Sequence, residues 1–207
     1  MGFSADAPET TGLALEMADS TLKIGAVCYF NTVPLVHCLP QVAPEVQIVK
    51  DVPSRLSQAL EAGELDVALV PSIEALRLCA AGRGRLVSDY CIACRGPVRS
   101  VKLFSRVDWP QVRLLALDEG SRTSAALAKI LLAELFDIRP ATVPLPLGAT
   151  LDDTTADATM LIGDRAFAAS PEGFPYWCDL GETWYRWQRL PFVFAVWTAR
   201  PEVDPAV

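Results

Sequence analysis

Leu65-Asp-Val-Ala-Leu-Val-Pro-Ser-Ile73 holds the fold in miniature. Leu65 to Val70 is an apolar run suited to a buried parallel strand. Pro71-Ser72 ends it and opens a helix from Ile73 to about Ala81. Proline pre-sets the first helical φ, and serine can satisfy an early backbone N–H. The same order recurs on both sides. Leu22 to Cys28 reads as a strand, followed by the polar turn Tyr29-Phe-Asn-Thr-Val-Pro34 and a short helix to Leu39. Val46 to Lys50 is a second strand. Pro53-Ser54 then starts a helix with Leu56, Ala59 and Leu60 on one face, and Gly63 ends it. Tyr90 to Cys94 is a fourth strand.

A second unit repeats the pattern. Val112 to Leu117 is a strand, Asp118 to Ser124 a polar turn, and Ala125 to Phe136 a helix. Leu127, Ile130, Leu131 and Leu135 form that helix's apolar face. Arg139 to Gly148, with three prolines, reads as loop plus an extended edge. Asp157 to Ile162 is a strand ending in Gly163-Asp164-Arg165, Glu182 to Trp187 looks helical, and Pro191 to Trp197 is an apolar strand. The fold class is therefore α/β, with a parallel sheet in each of two lobes and a ligand cleft between them. The expected division is a flexible leader over 1–20, a first lobe of 21–104 plus 191–207, and a second lobe of 105–190. The joints fall at Leu103–Arg106 and near Arg189–Pro191.

In such sheets the turns after the strands emerge on one edge, where ligands bind. Asn31, Ser72 and the pair Arg99-Ser100 would share that rim. The last pair follows the turn signal Gly96-Pro97 and leads into a strand, Val101 to Ser105. A cation and a hydroxyl delivered from a fixed turn suit a small carboxylated molecule, although the same residues also suit a solvated turn. Gly120-Ser-Arg-Thr-Ser124 places hydroxyls beside the free N–H groups of a helix start, which fits either an anion site or a simple cap. Asp164 reads as a catalytic or binding acid, or as a cap, and Asn31 as a turn residue or a ligand contact.

Bulk properties narrow the function. The 207 residues are 51% hydrophobic and 21% charged, an ordinary globular composition. A net charge of −7 speaks against a nucleic-acid partner. No apolar run is long enough to span a bilayer. Asp6, Glu9, Glu16 and Asp19 make the start unlike a secretory signal, so a cytoplasmic location is expected. The six cysteines, including Cys91-Ile-Ala-Cys94, lack a second pair or a histidine cluster and read as small packing residues. His37, the single histidine, lies between Val36 and Cys38 without a catalytic partner. No dinucleotide fingerprint or phosphate loop is present, and Asn, Ser, Thr and Arg suit a multiply carboxylated small molecule.

Several of these blocks, in order, resemble the chorismate dehydratase family of the futalosine route to menaquinone. They are Ile24 to Leu35, Gly63 to Glu74, Gly96 to Val101, Leu117 to Ser124, Leu161 to Ala166 and Leu190 to Trp197. The resemblance implies a two-lobed fold like type 2 periplasmic binding proteins. It implies loss of water from chorismate to give 3-[(1-carboxyvinyl)oxy]benzoate, with no cofactor and no metal. It puts the family's catalytic asparagine on Asn31 and its catalytic serine on Ser100, with substrate contacts at Ser72 and at Thr123–Ser124. Arg99 and Asp164 complete the candidate binding set. None of the matched positions is an evident general base. The expectation is therefore that the substrate's own enolpyruvyl carboxylate takes the ring proton while Asn31 and Ser100 hold it and the departing hydroxyl.

The expected partner is the small-molecule substrate alone, with no nucleic acid or membrane, on a monomer or homodimer. The departures from the family pattern are Gln188-Arg189 in place of Thr-Gly, and Cys94-Arg95 before Gly96. Family chains also continue with further helices past this end, so the first lobe is expected to be shortened. The competing functions are the sibling dihydroxynaphthoate synthase and a non-catalytic carboxylate-binding protein; the Asn31-Thr-Val-Pro and Gly96-Pro-Val-Arg-Ser blocks favour the dehydratase.

Overall fold

In the computed structural model, which describes residues 21–203, Lys23–Val27 forms β1. A 3-10 turn at Phe30–Thr32 leads into two one-turn helices, α1 (Val33–Val36) and α2 (Leu39–Val42). Next come β2 (Gln47–Asp51), α3 (Pro53–Glu61), β3 (Val67–Pro71), α4 (Ser72–Ala80) and β4 (Arg85–Cys94). The chain then crosses into the second lobe. There it forms β5 (Val101–Ser105), β6 (Leu114–Asp118), α5 (Arg122–Phe136), β7 (Ala141–Leu145), β8 (Ala158–Ile162), α6 (Gly163–Ala168), β9 (Tyr176–Asp179) and α7 (Leu180–Gln188). Finally β10 (Phe192–Ala199) returns to the first lobe. The leader expected over 1–20 lies outside the described residues, as do 204–207.

Two five-stranded sheets result, ordered β2-β1-β3-β10-β4 and β7-β6-β8-β5-β9. They are mixed, which corrects the expectation of parallel sheets. In the first, β10 runs antiparallel to both β3 and β4. In the second, β5 runs antiparallel to both β8 and β9. The odd strand in each sheet is the one that has just crossed between lobes. It enters its sheet from the cleft end, where the neighbouring parallel strands finish, so it must run the opposite way.

The first crossing also falls earlier than expected. Val101 is in register with Ile162, and Val101, Leu103 and Phe104 are buried in the second lobe's clusters. The chain therefore leaves the first lobe between Cys94 and Val101, and not at Leu103–Arg106. On the way back, Arg189 ends α7 in the left-handed region, with φ 61. A glycine adopts that conformation freely, whereas a side chain there costs about 1–2 kcal/mol. That is the physical content of the departure at Gln188-Arg189.

Each lobe has its own core. Leu56, Leu60, Leu69 and Leu78 pack the first, and Leu115, Leu127, Leu132 and Met160 the second. Tyr29 and Ile92 pack against both cores, so apolar contact is continuous across the joint. Among the described residues, no helix is long and apolar enough to cross a membrane.

Candidate active site

The ends of β1, β3 and β8 meet the start of α5 and the Gly96–Ser100 turn around a cavity of about 490 Å³ between the lobes. Asn31, Ser100, Ser124 and Asp164 all line it. They come from four separate stretches of chain, three of them following strands with parallel neighbours (β1, β6 and β8) as the rim argument requires. Ser72 and Thr123 lie beside the cavity. Their hydroxyl oxygens are 3.4 Å apart, Ser72 donates to the Val193 carbonyl at 2.8 Å, and the Ile73 N–H reaches Thr123 Oγ1 at 3.4 Å. These two hydroxyls join the lobes at the facing starts of α4 and α5. Buried Glu74 strengthens the same seam, pairing with Arg77 at 2.9 Å and, across the lobes, with Arg122 at 3.4 Å. Arg99 is exposed and stands outside the lining.

The Gly96–Ser100 turn is held from beneath. Gly96 and Arg99 both have positive φ, 103° and 64°. A non-glycine residue keeps such a conformation only when its surroundings enforce it. Asp179, 7% exposed at the start of α7, supplies that enforcement. Its carboxylate accepts from the N–H groups of Val98 at 3.1 Å, Arg99 at 2.6 Å and Glu182 at 2.9 Å. One side chain thus caps a helix and clamps the turn that carries Ser100. The Ser100 carbonyl in turn accepts from the Gly163 N–H at 2.8 Å, which ties the turn to α6 and Asp164.

Gly181 lets this turn approach α7. A Cβ there would stand 2.5 Å from Cys94 Sγ and 2.8 Å from the Gly96 carbonyl. Gly181→Ala is therefore expected to push the turn outward and to cost about 1–3 kcal/mol in denaturant unfolding. Ligand affinity should fall with it. Unchanged stability and binding would show that the turn tolerates displacement.

From the first lobe, Tyr29 reaches across to two glycine turns of the second. A Cβ on Gly120 would lie 3.1 Å from the Tyr29 hydroxyl, and one on Gly163 would lie 3.6 Å from its ring. Burial, then the nearby Asp118 carboxylate, pushes the Tyr29 phenol up to about 12, so it stays protonated and can donate. Ser121 caps α5, accepting from the Ser124 N–H at 3.2 Å, and its hydroxyl is 2.9 Å from that of Ser124. Asp164 is not a cap, because the cap position of α6 is Ile162. Among the described residues lining the cavity, Asp164 carries the one formal charge and no Arg or Lys is present. A carboxylate held here would therefore meet hydroxyls, amides and the positive end of α5.

Residues 22–207 match the protein family described as menaquinone biosynthesis. The chain belongs to that family. A chorismate dehydratase from Thermus thermophilus is 32% identical over 203 aligned positions, covering 88% of this chain and 71% of that protein. Among solved structures, a protein from Archaeoglobus fulgidus superposes with a TM-score of 0.66 at 17% identity, over 88% of this chain and 69% of that one. The periplasmic aliphatic sulphonate binding protein from Escherichia coli gives 0.54 at 18%, over 86% and 64%. A Candida albicans protein described as having the generic periplasmic binding protein fold gives 0.53 at 14%, over 88% and 64%. The fold is accordingly the two-lobed, type 2 periplasmic-binding-protein-like one.

Within this menaquinone-biosynthesis protein the cysteines divide. Burial pushes the Cys94 and Cys178 thiols up to about 11, with the neighbouring Asp179 adding to it, so both stay neutral packing groups. Cys28 and Cys38 are exposed, against the expectation that all six pack inside. Cys91 and Cys94 are free thiols, and His37 is exposed at the end of α1. Sequence reasoning missed Tyr29, Asp179 and Gly181, whereas Ser121 stood in the helix start already read as a cap or an anion site. Asp179 had a readable signal, since it stands three residues before Glu182 in a capping arrangement.

Proposed function

We propose that this chain is a chorismate dehydratase acting in the futalosine route to menaquinone, in the cytoplasm. The observation that carries the reading is the likeness to the Thermus thermophilus chorismate dehydratase over 88% of the chain. The meeting of Asn31 and Ser100 on one cavity supports it from the geometry.

The reaction removes the hydrogen of the ring carbon that bears the enolpyruvyl ether and the hydroxyl of the adjacent carbon, so one water leaves and the ring becomes aromatic. Gain of aromaticity lowers the demand on the protein. Asn31 and Ser100 orient the enolpyruvyl carboxylate as proton acceptor and donate to the departing hydroxyl. The start of α5, with Ser121 and Ser124, faces a substrate carboxylate, while Ser72, Thr123 and Arg99 support the seam and the turn. Asp164 accepts a hydrogen bond from the substrate hydroxyl, a role open to a carboxylate beside a dianion because that hydroxyl is a donor.

Incubating the protein with chorismate tests the reading. Loss of the diene absorbance together with appearance of the aromatic enol ether is expected. Binding without turnover would leave a carboxylate-binding protein, and neither binding nor turnover would remove chorismate as the substrate.

A further inference from the structure

Two large apolar side chains at the cavity stand open to solvent. Phe30 is 84% exposed and Phe167 57% exposed, and both belong to the cavity lining. They come from opposite lobes, Phe30 from the 3-10 turn after β1 and Phe167 from α6. Each is coupled in sequence to a polar candidate. Phe30 immediately precedes Asn31, and Phe167 lies three residues after Asp164, on the same side of its helix. The aromatic pairs found among the described residues involve other rings, so neither Phe30 nor Phe167 stacks on an aromatic neighbour.

A phenyl ring left in water forgoes the burial that makes it valuable, of order 150–250 Å² per aromatic side chain. On a cavity rim, that area is recovered when something apolar covers it. The polar part of the lining, Asn31, Ser100, Ser121, Ser124 and Asp164, faces the heteroatoms of a ligand, while the cavity floor is apolar, with Ile92, Val101, Ile162 and Phe194. The two phenyl rings have no such partner to serve. Their complement is the face of a flat, unsaturated ring whose substituents carry the carboxylates.

We propose that Phe30 and Phe167 are ligand-contacting, specificity-determining residues that grip the six-membered ring from the two lobes. The inference rests on the dehydratase reading and extends it. The substrate ring is puckered at its two saturated carbons, and the product ring is planar. Contact with two phenyl faces improves as the ring flattens, so the pair favours the transition state and the product over the substrate.

The test uses two probes, 3-methoxybenzoate and its saturated counterpart 3-methoxycyclohexanecarboxylate, titrated calorimetrically into the whole chain. The wild type is expected to prefer the planar probe by roughly tenfold, a difference of about 1.4 kcal/mol. Phe30→Ala and Phe167→Ala should each lose part of that preference, and the double variant all of it. Phe30→Leu with Phe167→Leu should keep affinity for both probes but lose the discrimination. Thermal unfolding should stay near that of the wild type, because exposed side chains contribute little to folding. An undiminished planar preference in the double variant, or no binding of either probe to the wild type, overturns the proposal. Chorismate turnover by the wild type, followed alongside, tests the activity separately. Its absence with the discrimination intact would leave an aromatic-carboxylate site without the dehydratase.

Discussion

Ser100→Ala and Asn31→Ala are each expected to slow conversion of chorismate by about 10²–10³-fold, the usual cost of removing one positioned hydrogen-bond donor. The fold does not depend on either side chain. Ser100 Oγ meets the Val98 carbonyl at 3.4 Å, a weak contact, while the turn is held through the Arg99 and Gly163 N–H groups. Asn31 is exposed on a 3-10 turn, with the Thr32 hydroxyl 3.5 Å from its Oδ1. Thermal unfolding of both variants should therefore match the wild type within the ±0.5 kcal/mol or so usual at exposed positions. The loss should appear in kcat, because the contacts strengthen as charge develops on the departing hydroxyl. The double variant should be little worse than the poorer single one, since residues that act on one step are far from additive. Wild-type rates in both single variants would sink the assignment.

The strand–turn–helix order made the lobes readable because each buried parallel strand is a short apolar run closed by a proline or glycine turn. Leu65 to Ser72 shows why: the apolar run stops at the residue where the helix begins. The antiparallel insertion of β5 and β10 was not readable, since strand direction leaves no mark on an apolar run. The first half of β4 was missed for a different reason. Leu86 and Tyr90 are 56% and 73% exposed, so that edge lacks the alternation that marks a half-buried strand. In the site, Asn31, Ser100, Ser124 and Asp164 were legible from their turns and from the family likeness. Tyr29 was not, because its role depends on Gly120 and Gly163, which are distant in sequence. Ser72 and Thr123 show the reverse limit. Hydroxyls at helix starts look alike in sequence whether they face a ligand or, as here, each other across a seam.

Asp118→Ala is expected to be the most destabilising single change in the second lobe, by about 3–5 kcal/mol, the range for breaking a buried ion pair from one side. The Asp118 side chain is fully buried at the end of β6 and bonds Arg165 at 2.6 Å. Its oxygens also accept from the Gly120 N–H at 2.9 Å and the Ile162 N–H at 3.2 Å. Arg165 continues the network to the carbonyls of Ala149 at 2.5 Å and Pro146 at 3.4 Å. One carboxylate therefore fixes the turn before α5, the end of β8 and the start of α6, the three places that carry Ser121, Ser124 and Asp164. Removal leaves a half-buried guanidinium without its anion and two N–H groups without acceptors. Against a typical total of about 5–15 kcal/mol, the variant should unfold at much lower denaturant and lose ligand binding through the splayed turns. The pH dependence gives a second readout. Burial, outweighing the donors and Arg165, holds the Asp118 carboxyl above its ordinary value of 3.8. A raised folded value means that the folded state holds this proton more tightly than the unfolded chain does. The group's titrating contribution is then fully present below the unfolded pKa and is lost as pH rises through the raised folded value. Asp118→Asn removes that titration while keeping the shape. Its stability should fall less steeply than the wild type's as pH rises above about 4, the ordinary carboxyl value. Equal slopes, measured by denaturant unfolding across that window, would show that Asp118 titrates as it does in the unfolded chain.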